Sequence, residues 1–178
     1  NIVMSEGFGI DVVSEGELIT ALKAGMPAKN IVFHGNNKSS RELLLAYKND
    51  VTIVIDNHHD IDQLNYIVNS TEKKARLILR LTPGIECHTH EYIRTGHLDS
   101  KFGFDLEDLD KTLVKLKNLH WANLIGLHAH IGSQIFELKP HQDLAEVMVS
   151  ALHKAIEIGH PVTDLNIGGG LGIKYIDS

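Results

Sequence analysis

The chain has 178 residues, of which 43% are hydrophobic and 22% charged, and its formal net charge is −6. This composition is typical of one soluble globular domain. The negative charge argues against a general binder of nucleic acid or anionic membranes, because those surfaces attract clustered Lys and Arg. The sequence has no signal-peptide pattern and no apolar run near the roughly 20 residues that cross a bilayer. A single cysteine, Cys87, can form no internal disulfide, so we expect a cytoplasmic protein that acts on a small molecule.

Short apolar segments alternate along the chain with segments of helical periodicity. The predicted strands are 9–14, 31–35, 51–56, 76–81, 124–130 and 164–168. The predicted helices are 15–24, 40–48, 61–70, 106–117 and 141–158. Ser14 has the spacing of a capping residue for the first helix, and Gly25 lies where a terminating glycine is expected. This alternation predicts a parallel α/β sheet, either doubly wound or a (β/α)₈ TIM-type barrel, and we favour the barrel because polar groups follow nearly every strand.

The strand count predicts an incomplete barrel. Six strands are two fewer than a closed barrel needs, and 178 residues are fewer than the about 250 typical of that fold. The sequence starts at Asn1 and stops soon after a run of glycines. We therefore expect a fragment, with residues 1–178 forming one partial barrel domain, and no linker or repeat indicates a second domain.

Three consecutive glycines, Gly168, Gly169 and Gly170, directly follow the last predicted strand. Without Cβ atoms, such a backbone can turn sharply and bring several N–H groups onto an anion. Neither the G-x-G-x-x-G pattern nor a following Gly-Lys-Ser/Thr is present, which leaves a phosphorylated cofactor or substrate as the ligand. The alternative is a glycine-rich turn that only connects two elements.

Two histidines end the fifth predicted strand. Alternation places His128 and His130 on one face, and Ser133 follows in the next turn. An imidazole can stack on a conjugated ring, and the hydroxyl can donate to a phosphate. One alternative is a metal site, as in barrel hydrolases, with His88 and His90 as a second pair. The glycine run argues against this metal site, because a zinc hydrolase would not need it. A second alternative is that both histidines are core residues that bind no ligand.

Eight segments together resemble the diaminopimelate decarboxylase branch of the alanine-racemase-like, barrel-type pyridoxal-phosphate enzymes. They are GIDVVSEGEL at 9–18, FHGNNKS at 33–39, PG at 83–84, HTHEYI at 88–93, TG at 95–96, DSKFGF at 99–104, HAHIGSQ at 128–134 and NIGGGLG at 166–172. Each motif is weak alone, but they occur in order along essentially the whole chain. Their conjunction is specific.

The resemblance implies a pyridoxal 5'-phosphate site and an amino acid substrate. His130 would stack on the pyridine ring, and the phosphate would be held by Ser133 and Gly168, Gly169 and Gly170. The pocket would also be supported by Asp11, Glu17 and Arg80. From the residues alone, each has an equally good structural role: Asp11 could cap a turn, Glu17 could be a helix carboxylate in a capping box, and Arg80 could pair with a neighbouring acid. The implied reaction is decarboxylation of meso-diaminopimelate to L-lysine, the last step of lysine biosynthesis, in a homodimer. The alternative within the family is an ornithine, arginine or carboxynorspermidine decarboxylase.

Other family features are absent from the sequence. It contains no Tyr-Ala-x-Lys-Ala-Asn-like motif with the lysine that carries the cofactor and no Glu-Pro-Gly-Arg-like segment that contacts the pyridine nitrogen. The C-terminal β-domain with the catalytic cysteine is also absent. Cys87, Lys38 and Lys101 are poor substitutes for these groups. We therefore expect no catalytic residue within this chain, no bound metal ion, and no activity from the chain alone.

Overall fold

The structure, a computed structural model, describes residues 2–85 and 101–175. Its strands are β1 (Ile10–Val12), β2 (Ile31–Phe33), β3 (Thr52–Ile55), β4 (Ala75–Thr82), β5 (Phe104–Asp105), β6 (Ala122–Ala129) and β7 (Asp164–Asn166). Its α-helices are α1 (Ile2–Ser5), α2 (Glu15–Lys23), α3 (Ser40–Lys48), α4 (His58–Val68), α5 (Leu109–Lys117) and α6 (Leu138–Glu157). None of the helices in these two ranges is long and apolar enough to cross a membrane.

The strands form one parallel sheet in the order β1-β2-β3-β4-β6-β7, with the short β5 beside β4. A helix lies between consecutive strands of this order, with β5 preceding the helix α5 between β4 and β6. The order of strands follows the chain without reversal, whereas a doubly wound sheet reverses at a switch point. The described sheet is therefore an open half-barrel of the predicted α/β fold.

All six predicted strands and all five predicted helices are present, with ends that differ by a few residues. The sequence pattern missed α1 and β5, which are four and two residues long and too short for a periodicity to show. The sheet therefore has seven strands in the described residues, not the six that we counted. The start of α2 is as predicted, since the Ser14 hydroxyl accepts a hydrogen bond from the Glu17 amide at 3.3 Å.

Helices cover one face of the sheet and part of the opposite face is also buried, which explains why the central strands read as apolar runs. The larger core lies between the sheet and the helices and includes Phe33, Ile53, Leu79 and Trp121, none of which is exposed. A smaller cluster of Val54, Ile78 and Ile125 lies on the opposite, inner face. Polar side chains lie on both sides of this cluster along the strands, with Thr52 and Arg76 toward the amino ends and Arg80 and Asp56 toward the carboxyl ends. Barrel enzymes place their active sites at that end.

Candidate functional site

Two loops at the carboxyl ends of β6 and β7 lie side by side. The amide of Ile135 donates to the Gly170 carbonyl, and the amide of Gly172 donates to the Ile135 carbonyl, both at 2.9 Å. Gln134 adds side-chain bonds, with Oε1 accepting from the Ile173 amide and Nε2 donating to the Tyr175 hydroxyl, both at 3.0 Å. The glycine run is therefore held against the turn that contains Ser133.

Gly168 and Gly170 are required by this close approach. Their φ angles are +71° and +103°. A Cβ on Gly170 would lie 1.9 Å from the Gly132 carbonyl oxygen, and a Cβ on Gly168 would lie 2.7 Å from Nδ1 of His130. Gly169 differs, because a Cβ there meets no atom within 4 Å and its φ is not positive. The middle glycine faces open space beside the other two.

The loop pair presents unpaired backbone donors. The Gly168 amide is bonded to Oδ1 of Asn166 at 2.8 Å. Across residues 2–85 and 101–175, the amides of Gly169 and Gly170 have no acceptor, and neither has the exposed Ser133 hydroxyl. No helix begins between Gly170 and Tyr175, so the anion-binding capacity of this site comes from the loop backbone. Converging N–H groups in a glycine loop form an anion site.

His130 lies directly beside these glycines. Strand β6 ends at Ala129, so His130 follows the strand and is exposed, whereas His128 is buried within it. The prediction that the two rings share one face stays a prediction, because His130 lies one residue beyond the end of the strand, while both rings feel the Arg80 charge. Partial burial, with a contribution from the Arg80 charge, lowers the pKa of His130. The ring is thus neutral and accessible at neutral pH, as ring stacking requires.

His128 has a structural hydrogen bond. Its Nδ1 lies 3.2 Å from the Asn166 carbonyl oxygen, to which it donates. Burial, with smaller contributions from His34 and Arg80, lowers the pKa of His128 from 6.5 to about 4. Of the two ring nitrogens of His128, Nδ1 is therefore used by the hydrogen bond to Asn166. Within the described ranges, no three His, Cys, Asp or Glu side chains are grouped so that they could hold a metal ion.

The buried His128 should make stability depend on pH. Because its pKa is lower in the folded than in the unfolded chain, the unfolded state binds the extra proton as the pH falls below 6.5. We expect the free energy of unfolding to decrease by up to about 3 kcal/mol between about pH 6.5 and pH 4 from this group. Urea titrations over this range should show a shallower dependence for His128→Asn. The exposed His153→Asn variant is the control and should match the wild type; equal slopes in all three proteins would contradict the assignment.

Arg80 projects from β4 on the inner face. Its Nη1 lies 3.3 Å from Oδ2 of Asp56, and its guanidinium carbon lies 4.4 Å from the centre of the Phe102 ring. The Asp56 carboxylate is 1% exposed and also accepts the Gly103 amide at 2.8 Å. The pairing of Arg80 with an acid, one of the two alternatives for this residue, is therefore present. In the part of the chain that the structure describes, Asp56 is the one acceptor of Arg80.

Asp11 and Glu17 lie near the end of β1 and have different environments. Oδ1 of Asp11 lies 3.5 Å from Nε2 of His34, and that ring in turn makes an edge contact with His128 at 4.9 Å. The interaction with His34 lowers the pKa of Asp11 more than partial burial raises it. Glu17 instead accepts the Val13 amide at 2.7 Å, which is a structural contact at the start of α2 but not the bond to the Ser14 amide that a capping box has.

Sequence reasoning missed His34 and Asp56 as site residues. Each directly follows a strand, so the signal was the same one that favoured a barrel: a polar residue where a buried apolar run stops. The predictions for Cys87, His88 and His90 and for the motifs at 88–93 and 95–96 lie outside the described residues.

Comparisons with known proteins give the family. The whole chain, residues 1–178, matches the family model described as the pyridoxal binding domain of pyridoxal-dependent decarboxylases. The chain belongs to this decarboxylase family. It is 49% identical over 185 residues to diaminopimelate decarboxylase of Synechocystis sp., a match that covers 99% of the chain and 39% of the relative.

Solved structures of the family have the same fold. Diaminopimelate decarboxylase from Helicobacter pylori complexed with L-lysine is 30% identical, with a TM-score of 0.89 over 99% of this chain and 45% of that one. The enzyme from M. jannaschii is 31% identical, with a TM-score of 0.86 over 98% of this chain and 41% of that one. The chain thus spans about two fifths of the length of these family members and shares their α/β barrel fold.

Proposed function

We propose that the chain is the cofactor-binding barrel segment of a diaminopimelate decarboxylase, which forms L-lysine from meso-diaminopimelate in the last step of lysine biosynthesis. The observation that carries this proposal is the open donor cradle made by the two loops after β6 and β7. Support for the substrate comes from relatives of that name that are up to 49% identical over nearly the whole chain. Pyridoxal 5'-phosphate is the ligand that the matched domain binds.

The cradle fits a phosphate group in charge and shape. The amides of Gly169 and Gly170 and the Ser133 hydroxyl would donate to its oxygens, and Gly168 brings the backbone close to His130. The position after the late strands is where barrels often bind phosphate. Charge-assisted hydrogen bonds of this kind are worth about 1.5–3 kcal/mol each.

The neighbouring side chains fit the ring of the cofactor. His130, exposed beside the glycines, would stack on the pyridine ring, and Arg80 would supply positive charge and N–H donors nearby. Asp11 would join the pocket from β1 through the His34 contact, and Glu17 would act on it through the start of α2.

We propose that the cofactor supplies the reactive group and that the residues of this chain bind and orient it. When bound, the cofactor accepts the electron pair left by loss of carbon dioxide. The residues of this chain bind the phosphate, hold the ring in place and maintain a positive charge beside it. We assign none of them a covalent or proton-transfer role.

The organisation of the whole enzyme is also a proposal. We propose that residues 1–178 form one part of a single barrel domain, with a separate β-domain supplied elsewhere in the polypeptide, and that the enzyme is a cytoplasmic homodimer. Support comes from the family resemblance and from the single cysteine. Light scattering of the intact protein should give twice the subunit mass; a monomer with full activity would contradict the dimer.

Gly169→Val tests the cradle. The added side chain meets no protein atom within 4 Å of its Cβ, so the fold should be unchanged, but it would occupy the space proposed for the phosphate. We expect the Kd of the intact protein for pyridoxal phosphate to rise by about tenfold to several hundredfold, as loss of one or two charge-assisted bonds implies. Absorbance titration measures this change.

The control is the melting temperature without cofactor, which should match that of the wild type. An unchanged Kd would remove the glycine loop from the site. Turnover of meso-diaminopimelate, compared with ornithine and arginine, tests the substrate separately. Preference for either of the other two amino acids would overturn the proposed reaction while leaving the cofactor site intact.

A further inference from the structure

We infer that Asp56 is a positioning residue for the cofactor site, acting through Arg80. This inference rests on the proposed function, because it concerns how the chain orients a guanidinium toward the bound cofactor.

The Asp56 carboxylate joins two parts of the chain at the end of β3. Oδ2 lies 3.3 Å from Nη1 of Arg80, on the adjacent strand β4. Oδ1 accepts the Gly103 amide at 2.8 Å. Asp56 and Arg80 are 1% and 13% exposed at their side chains, so the contact lies largely away from water. One buried carboxylate thus holds both Arg80 and the segment at 101–104.

Asp56 itself is held by a second buried ion pair. Its amide donates to Oδ2 of Asp60 at 2.9 Å, and the same oxygen lies 2.7 Å from Nζ of Lys38. The backbone at Asp56 therefore cannot move without disturbing a salt bridge whose side chains are 2% and 1% exposed. The carboxylate is a fixed reference point for Arg80.

The segment at 101–104 places an aromatic ring over the same guanidinium. Phe102 lies 4.4 Å from the Arg80 guanidinium carbon, and its carbonyl accepts the Thr82 hydroxyl at 2.5 Å. A Cβ on Gly103 would lie 3.1 Å from the Arg80 carbonyl oxygen, which shows how closely this segment approaches β4. Arg80 is thus confined between a carboxylate and a ring.

This arrangement is better suited to orientation than to stability. A bidentate pair would use two guanidinium nitrogens, whereas Asp56 uses Nη1 alone at a long 3.3 Å. Buried ion pairs are often no more stabilising than apolar side chains of similar volume. The guanidinium lies at the strand ends close enough to His130 for its charge to lower the pKa of that ring, so its orientation sets where positive charge is presented beside the proposed site.

A double-mutant cycle on cofactor binding tests the inference. Asp56→Asn keeps an oxygen for the Gly103 amide but removes the charge that orients Arg80. In the intact protein we expect it to raise the Kd for pyridoxal phosphate by about tenfold. Arg80→Gln should raise the Kd at least as much, and the double variant should be no weaker than Arg80→Gln alone. A purely structural role would give additive effects, which would overturn the inference.

The matched control is Thr52→Val. Thr52 lies four residues before Asp56 and bonds Nε of Arg76, four residues before Arg80, at 3.4 Å. It is therefore a contact between the same two strands, away from their carboxyl ends, and this variant should leave the Kd unchanged. A rise equal to that of Asp56→Asn would mean that any disturbance between β3 and β4 weakens binding, which would also overturn the inference.

Phe102→Leu covers the case in which Asp56→Asn does not fold. This residue is 40% exposed, and the substitution removes the ring from Arg80 without changing a buried charge. We expect a severalfold rise in Kd in the wild type and none in the Arg80→Gln background; a rise in both would count against confinement of Arg80. If the wild-type protein binds no pyridoxal phosphate, both the proposed function and this inference fail. If the wild type binds it but the effects of the two substitutions are additive, only this inference fails.

Discussion

Replacing Gly170 with alanine should abolish the loop pair that we propose as the phosphate cradle. The new Cβ would lie 1.9 Å from the Gly132 carbonyl oxygen, and the φ of +103° is one that residues with side chains rarely adopt. Neither obstacle is a flexible side chain, so the two loops must separate and the bonds that link Ile135 to Gly170 and Gly172 should break. We expect the Kd for pyridoxal phosphate to rise by more than about a hundredfold, because the converging donors no longer converge.

Gly169→Ala provides the control for this prediction. The two positions are adjacent, yet the alanine at 169 adds a methyl group in open space at an ordinary φ. Its melting temperature should equal that of the wild type, whereas Gly170→Ala should melt earlier. Calorimetry of both variants without cofactor measures the difference. Equal melting temperatures and equal Kd values for the two variants would contradict the close approach of the loops.

The strand-helix alternation could be predicted because a buried strand of a parallel sheet requires several apolar residues in a row, and such a run is visible in the sequence. Thr52–Ile55 is buried throughout, as an apolar run between polar residues suggests. The glycine run could be placed after a strand for the same reason. Strand β5 could not, since its two residues are defined by pairing with β4 and not by any local pattern.

The contacts between strand ends could not be predicted from the sequence. Asp56 and Arg80 are 24 residues apart, and their pairing depends on the register of β3 against β4. The same holds for His34 and His128, whose rings meet at 4.9 Å across elements that are distant in the chain. Only the family resemblance pointed to Asp11, Glu17 and Arg80 as site residues. Their residue types and positions in the sequence fit a purely structural role equally well. For Glu17, the contact with the Val13 amide is of that structural kind.

Lys38 illustrates a residue whose motif was recognised but whose environment was not. It lies in a polar-looking segment, yet its ammonium is buried with Asp60 and also donates to the Gly35 carbonyl. Within residues 2–85 and 101–175, the second oxygen of Asp60, Oδ1, has no hydrogen-bond partner. Burial raises the pKa of Asp60, although Lys38 opposes this shift. The ion pair therefore offsets a large desolvation cost.

Lys38→Met should accordingly be the most destabilising single charge removal among the ion pairs described. It leaves the Asp60 carboxylate buried without its counter-ion, a change that typically costs about 3–5 kcal/mol. Lys115→Met is the matched control, because Lys115 pairs with Asp62 at 3.0 Å while their side chains are 41% and 68% exposed. Such an exposed pair should contribute less than about 1 kcal/mol. Urea unfolding at neutral pH compares the two variants.

Two further measurements identify the cause of the loss. Adding Asp60→Asn to Lys38→Met should restore part of the stability, because the amide is uncharged and its oxygen can still accept the Asp56 amide. The deficit of Lys38→Met should also shrink as the pH falls. A buried carboxylate with a raised pKa binds its proton more tightly in the folded chain, so protonation stabilises that state, and the benefit is lost as the pH rises through the folded pKa. If Lys38→Met costs no more than Lys115→Met, or if its deficit is independent of pH, then the buried pair does not stabilise the end of β3 in the way its geometry requires.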